Sequence, residues 1–315
     1  LVPWIILISG LHTLLIYKST NRSLKATYIF NILAFIFVWY STFLTRTGVL
    51  GDASVHSFTG EGQSLYYHLL IVIGTYLAIP LFKLIKSWKK LPKVAGEEEV
   101  TSREFWLLIG SIFMLLAALQ IIFTTSIPVW APAYKFFTGI DIAPPTNVVE
   151  FYNNIQVWAA FIVLILTGFV QFLKYKKTPN GKEFKQIITM GIISVVLAVA
   201  LIYFQEIGQY RYMFFSFAIV YALVANTYYL FTAQKFSLKK AGSSITHLGF
   251  AIMMLGVLIS GYNKRVISID RSNTIKFERD SFEDALKESR ENVIIFRNTQ
   301  IPMADYMVTY LGDTV

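Results

Sequence analysis

The chain contains four histidines, His12, His56, His68 and His247. A neutral imidazole is a common metal ligand and titrates near physiological pH, so these four are the first candidates for chemistry. His12 and His247 fall inside long apolar runs. His12 stands six residues before Lys18, about 9 Å along a helix. His247 stands seven residues after Lys240, about 10 Å along a helix. The two runs cross in opposite directions, so the rings are expected at one depth. Two imidazoles at one level can fill both axial positions of one haem iron if their helices face each other. The same residues also read as unrelated histidines, each bonded to backbone or to a neighbouring hydroxyl, with Thr13 and Thr246 at hand.

His56 sits in the polar run Gly51-Asp52-Ala53-Ser54-Val55-His56-Ser57-Phe58. There it reads either as an ordinary water-facing loop histidine or as an iron ligand. His68, beside Tyr66 and Tyr67, reads as an interfacial histidine and is the spare ligand candidate. Arg46 and Arg211 lie at span ends where basic residues are otherwise scarce. Arginine suits bidentate pairing with carboxylates, and haem carries two propionates. Both arginines read equally as anchors whose charged ends reach out of the apolar layer.

The elements that must position these residues are membrane helices. The chain is 55% hydrophobic, 16% aromatic and only 15% charged, against about 25% charged in soluble domains. Apolar runs near 20 residues recur, at 1–17, 27–45, 65–83, 105–127, 155–174, 186–204, 212–232 and 243–262. The fold class expected is therefore an all-α polytopic membrane protein of eight spans, with a small, mainly β, exported C-terminal domain. The domain boundaries expected are 1–262 for the helical bundle and 263–315 for the tail. One set of loops carries Lys18, Arg22 and Lys25, then the basic runs 83–103, 174–185 and 235–240. The opposite loops carry Arg46, Lys135 and Arg211. This bias assigns the first set to the cytoplasm. Trp130, Tyr66, Tyr67, Tyr152, Tyr210 and Tyr212 then form an aromatic belt at the outer ends.

The outer loops are 46–64, 128–154 and 205–211. The second contains Trp130, Pro132, Gly139, Pro144 and Pro145 and is long for a connection, as binding loops often are. In the tail, Thr274-Ile275-Lys276-Phe277-Glu278 and Tyr306-Met307-Val308-Thr309-Tyr310 alternate as strands do. Val266-Ile267-Ser268-Ile269-Asp270 alternates imperfectly, and 282–290 suggests a short helix. Gly110, Gly168, Gly191, Gly249 and Gly256 are expected to allow close helix packing. The net charge of +9 belongs to the membrane part, so it does not indicate nucleic-acid binding. The absence of cysteine excludes disulfides and thiolate metal sites within this sequence. The opening Leu1-Val2-Pro3-Trp4 already lies in an apolar stretch without signal-peptide features. The last residues follow an alternating run, so the sequence reads as a fragment cut at both ends.

The run Ser41-Thr42-Phe43-Leu44-Thr45-Arg46-Thr47-Gly48-Val49-Leu50, followed by Ser54-Val55-His56-Ser57-Phe58, resembles the cytochrome c biogenesis family CcmF. That family reads TFLxRSGVL and then SVHAF. Leu1-Val2-Pro3-Trp4 with Leu11-His12 is similar to its LLPWL…LLH stretch, Ile142-Ala143-Pro144-Pro145 to its VGPP, and Thr246-His247-Leu248-Gly249-Phe250-Ala251 to its AHLGxA. The matches occur in the family's order. The related CcsA-type synthases share paired histidines but do not continue through so many spans after the tryptophan-rich segment.

The resemblance implies a haem lyase subunit of cytochrome c maturation. His12 and His247 match the two in-membrane ligands of a structural b-type haem. His56 matches one of two outer histidines that hold the substrate haem, itself haem b. The other outer histidine and most of the tryptophan-rich segment precede the position of Leu1. The implied partners are an apocytochrome c with Cys-x-x-Cys-His, a haem chaperone, other maturation subunits and membrane lipid, with no nucleic acid. The implied location is the bacterial inner membrane, with functional loops facing the periplasm. Thiols of the apocytochrome would add to haem vinyl groups, so the lyase needs no cysteine. A second reading is a b-type haem electron carrier or quinol–haem oxidoreductase without ligation activity. Transport fits poorly, because the spans are nearly free of charged residues.

Overall fold

A computed structural model describes residues 1–50, 63–92, 98–179, 181–237, 239–268 and 291–312. Its helices are α1 (Val2–Thr20), α2 (Leu24–Arg46), α3 (Gln63–Ser87), α4 (Arg103–Thr125), α5 (Ile127–Thr138), α6 (Val148–Phe169), α7 (Lys182–Phe204), α8 (Tyr210–Thr232) and α9 (Gly242–Tyr262). A 3-10 turn, Val170–Phe172, extends α6. Two strands follow, β1 (Gln300–Met303) and β2 (Tyr306–Thr309). All the helices except α5 are long and apolar enough to cross a membrane, which makes eight candidate spans. The polytopic helical architecture expected from the apolar runs is present.

The helix ends have local causes. Pro3 occupies the first turn of α1, where a missing N–H costs nothing. The Ser102 hydroxyl accepts the Phe105 N–H at the start of α4. Asn147 and Glu150 form a reciprocal cap on α6: the Asn147 side-chain oxygen Oδ1 accepts the Glu150 N–H, and its side-chain amide donates to the Glu150 carboxylate. This cap starts the fifth span at Val148, ahead of the 155 expected. The stretch read as one outer loop, 128–154, therefore holds α5 and the first turns of α6.

Contacts divide the chain into two compact units, Leu1–Leu258 and Ile259–Val315. In the first, α1 packs on α2 and α4, α2 on α3, and α4 on α6, while α8 lies against both α6 and α7. α8 is the central element, with 56% of its span buried against 11–33% in the others. Its Ala218, Ala222 and Ala225 are fully buried, and such small residues let neighbouring backbones approach. Close packing at glycine occurs at Gly168, against Tyr221, and at Gly110, against Leu166. It does not occur at Gly191, Gly249 or Gly256, where an added Cβ would meet nothing within 4 Å. Those glycines lie on open helix faces.

In the second unit, β1 and β2 pair antiparallel, with Gln300 opposite Thr309 and Met303 opposite Tyr306. The tight turn places Ala304 at φ 52°. Tyr306–Thr309 is a strand as its alternation predicts. β1 escapes the sequence pattern because Pro302 lies inside it, and proline is tolerated only where no ladder N–H is needed. Val266–Ser268 form no strand. Residues 269–290, which include the other expected strand and short helix, lie outside the described residues.

Candidate functional site

His12 and His247 are brought together. Their ring centroids stand 6.5 Å apart, and the ring planes differ by 14°. A metal–imidazole bond of about 2 Å, continued by about 1.1 Å to each ring centre, would space two imidazoles on opposite sides of one metal ion by about 6.2 Å. The observed spacing fits one metal ion between the rings. Each side chain is half-buried.

The hydrogen bonding of the two rings differs. Nδ1 of His12 lies 2.8 Å from the Ile8 carbonyl oxygen. A carbonyl only accepts, so Nδ1 carries the proton and the neutral ring keeps its lone pair on Nε2. This is the usual way a protein orients a metal-binding imidazole. Nδ1 of His247 is buried and has no hydrogen-bond partner. A buried nitrogen without a partner is costly, and a bound metal is one way to satisfy it. The neighbouring hydroxyls do not serve these rings. Thr13 donates to the Gly10 carbonyl, and Thr246 donates to the Gly242 carbonyl.

Among the described residues, no group of three or more His, Cys, Asp or Glu is placed to hold a metal ion. The paired imidazoles thus offer two donors and no more from that set. Such a pair suits a metal whose other ligands come with it, as the four ring nitrogens of a haem do. The donor set and the partnerless nitrogen both fit that group.

The remaining candidates are not drawn to this pair by any observed contact. His56 lies outside the described residues. His68 sits on an exposed side of α3. Arg46 closes α2 and is exposed. Arg211, at the start of α8, donates to Asn154 of α6 and to Gln209. Its guanidinium also lies 4.9 Å from the Tyr212 ring centre. Arg211 therefore already ties α6 to α8, beyond the anchoring role that its position suggested.

Two features inside the helical unit escaped the sequence reading. Gln156 of α6 donates to Gln120 of α4 at 2.6 Å, and Gln120 donates on to Thr124. The signal was available, since an uncharged amide within an apolar span needs a partner. At the basic end, both carboxylate oxygens of buried Glu104 accept the Lys176 N–H. Arg103 donates to the carbonyls of Val170 and Gln171. Together these side chains clamp the connection between α6 and α7.

Searches of known proteins give a consistent set of relatives. The cytochrome c-type biogenesis protein NrfE of Haemophilus influenzae is 27% identical over 270 residues, covering 83% of this chain and 40% of the relative. The CcmF proteins of Pseudomonas aeruginosa and Escherichia coli are each 24% identical, covering 82% of this chain and 39% of theirs. The chain thus spans about 40% of the length of the curated relatives it matches. No family model matches, and no solved structure matches.

Proposed function

This chain is a relative of the CcmF family of cytochrome c-type biogenesis proteins, and we propose that it is part of a haem lyase of cytochrome c maturation. In this reading His12 and His247 hold a b-type haem inside the membrane. His56 holds a second haem, the substrate, at the outer face, with Arg46 and Arg211 beside the propionates. The partners are an apocytochrome c carrying Cys-x-x-Cys-His, a haem chaperone and further maturation subunits. The basic loops face the cytoplasm and the other loops the periplasm, across a bacterial inner membrane.

The observation that carries this reading is the His12–His247 pair, 6.5 Å apart and nearly parallel. The Ile8 carbonyl holds the His12 ring and leaves its Nε2 to bind. His247 supplies the opposing nitrogen. Neutral imidazole is the ligating form. When bound, haem supplies an iron that carries one electron and vinyl groups that can accept thiols. The chain's contribution is positioning: it fixes ligands and charged partners so that the reacting groups meet in one geometry.

A reduced-minus-oxidised optical spectrum of the purified protein tests the proposal, with His12→Ala and His247→Ala beside it. A b-type band lost in both variants supports the shared site. A full band in either variant overturns it. His56→Ala separates ligation from simple electron transfer. It should spare the buried haem band and abolish cytochrome c maturation. Unchanged maturation would favour the b-type electron carrier instead.

A further inference from the structure

Among the described helices, α5 is the one not long enough to cross a membrane, yet its outward side is strongly apolar. Phe136 and Phe137 are 83% and 82% exposed, and Ile140, just beyond the helix, is 56% exposed. Ile127 and Ala131 are buried against the bundle. Phe136 lies nine positions after Ile127, which at 3.6 residues per turn is about half a turn round the helix. One side of α5 therefore meets protein and the other presents aromatic rings. Water is an unfavourable covering for such a side.

The chain's own connectivity says what covers it. Ser126 ends α4 and also begins α5. α4 has 23 residues, about 35 Å of helix, enough to cross an apolar layer of about 30 Å. Its last turn thus reaches the interface where α5 starts. Trp130 folds back onto that turn: its ring stacks on Phe123 at 4.8 Å, and its indole N–H donates to the Phe123 carbonyl at 2.9 Å. In a continuous helix, residues seven apart are about 10 Å apart along the axis. The chain therefore bends sharply at Ser126 instead of rising away from the span. Val129 packs on the Phe43–Leu69 cluster at the ends of α2 and α3. After α5, the chain enters the next span at Val148. The charged groups Lys135 and Asp141 pair with each other at 2.5 Å in an exposed position.

We propose that α5 is an interfacial helix that inserts Phe136 and Phe137 into the adjoining lipid leaflet. It would hold the Gly139–Pro145 segment at the bilayer surface. The occupant is lipid, because both chain neighbours of α5 are membrane spans and Trp130 fastens its first turn to the end of one. A short helix with one side packed on the end of a span and the other presenting apolar rings can lie in the interface plane, its apolar side in the acyl boundary. The inference is independent of whether the chain handles haem.

The sequence contains no cysteine, so single cysteines can be labelled cleanly with a nitroxide. The variants are Phe136→Cys, Phe137→Cys and Asp141→Cys, each in the protein carrying no other cysteine, in phosphatidylcholine–phosphatidylglycerol nanodiscs. Ala133→Cys repeats the measurement on the same side without removing an aromatic ring. Collision rates with oxygen, which concentrates in lipid, and with a water-soluble nickel chelate are compared. Labels at 133, 136 and 137 should meet oxygen several-fold more than nickel, with the order reversed at 141. Strong nickel collisions at 136 and 137 would overturn the proposal by placing them in water. Protection from both reagents would overturn it in favour of a protein covering.

Discussion

Tyr221 of α8 lies so close to Gly168 of α6 that a Cβ built on the glycine would stand 2.5 Å from its ring. No larger residue fits at position 168 unless the ring moves, and Tyr221 is itself buried. Gly168→Ala should destabilise the protein by about 1–3 kcal/mol, the usual cost of overpacking. Thermal unfolding in detergent reads the loss. Adding Tyr221→Ala removes the obstructing ring, so the double variant should lose less than the sum of the two single ones. Strict additivity would mean that the ring is not the obstacle.

Glu104 is 2% exposed and holds the Lys176 N–H with both carboxylate oxygens. Hydrogen bonds to a charged group contribute about 1.5–3 kcal/mol each at most sites. Glu104→Gln keeps the shape and removes the charge. It should lower the unfolding midpoint and speed proteolysis of the 173–179 connection in membranes. Unchanged cleavage would show that Arg103 alone secures the clamp.

The Gln120–Gln156 bond joins α4 and α6 within the spans. Buried interhelical hydrogen bonds in membranes contribute about 0.6 kcal/mol on average and up to about 1.7. Gln156→Leu should cost an amount in that range by leaving the Gln120 amide short of a partner. Gln120→Leu with Gln156→Leu should recover part of the loss, since neither amide is then stranded. Denaturant titration of the three variants checks the sign of the coupling.

The Lys135 ammonium donates a hydrogen bond to Asp141, and its charge adds to the effect, so the carboxyl is held below the ordinary value of 3.8. A depressed acid contributes stability above its unfolded-state value and loses it as pH falls through the lowered value. The contact is fully exposed and is screened by salt. Carbon-13 titration of labelled aspartate should give a midpoint below 3.8 for Asp141. Lys135→Gln should return the midpoint towards the ordinary value, and added salt should do the same. A midpoint that ignores both changes would rule out this pairing in solution.

Some of this structure is legible in the sequence and some is not. Seven transmembrane segments after α1 follow from apolar length alone, because hydrocarbon demands about 20 consecutive apolar residues whatever their neighbours. In the sequence α5 reads as loop because Pro132 and Gly139 punctuate it. Pro128 is harmless in a first turn. The Trp130–Phe123 stack and the burial of Ile127 and Ala131 offset the cost of Pro132. α6 begins early because Asn147 caps it, although Glu150, Asn153 and Asn154 make that stretch look polar. The glycines of α9 were read as packing residues, but glycine permits a close approach without requiring one.

The sequence by itself determined the number of candidate spans, the bias of basic loops and the matching depth expected of His12 and His247. Depth follows from hydropathy and a rise of about 1.5 Å per residue, both properties of one helix taken alone. Only the tertiary structure decided that these two rings meet, that Ile8 holds one of them, and that the other has a buried nitrogen without a partner. Those facts depend on which helices become neighbours and how each is turned about its axis. That choice is made by side chains spread over many spans, including Gly168 against Tyr221 and Gln120 with Gln156. No single segment carries it.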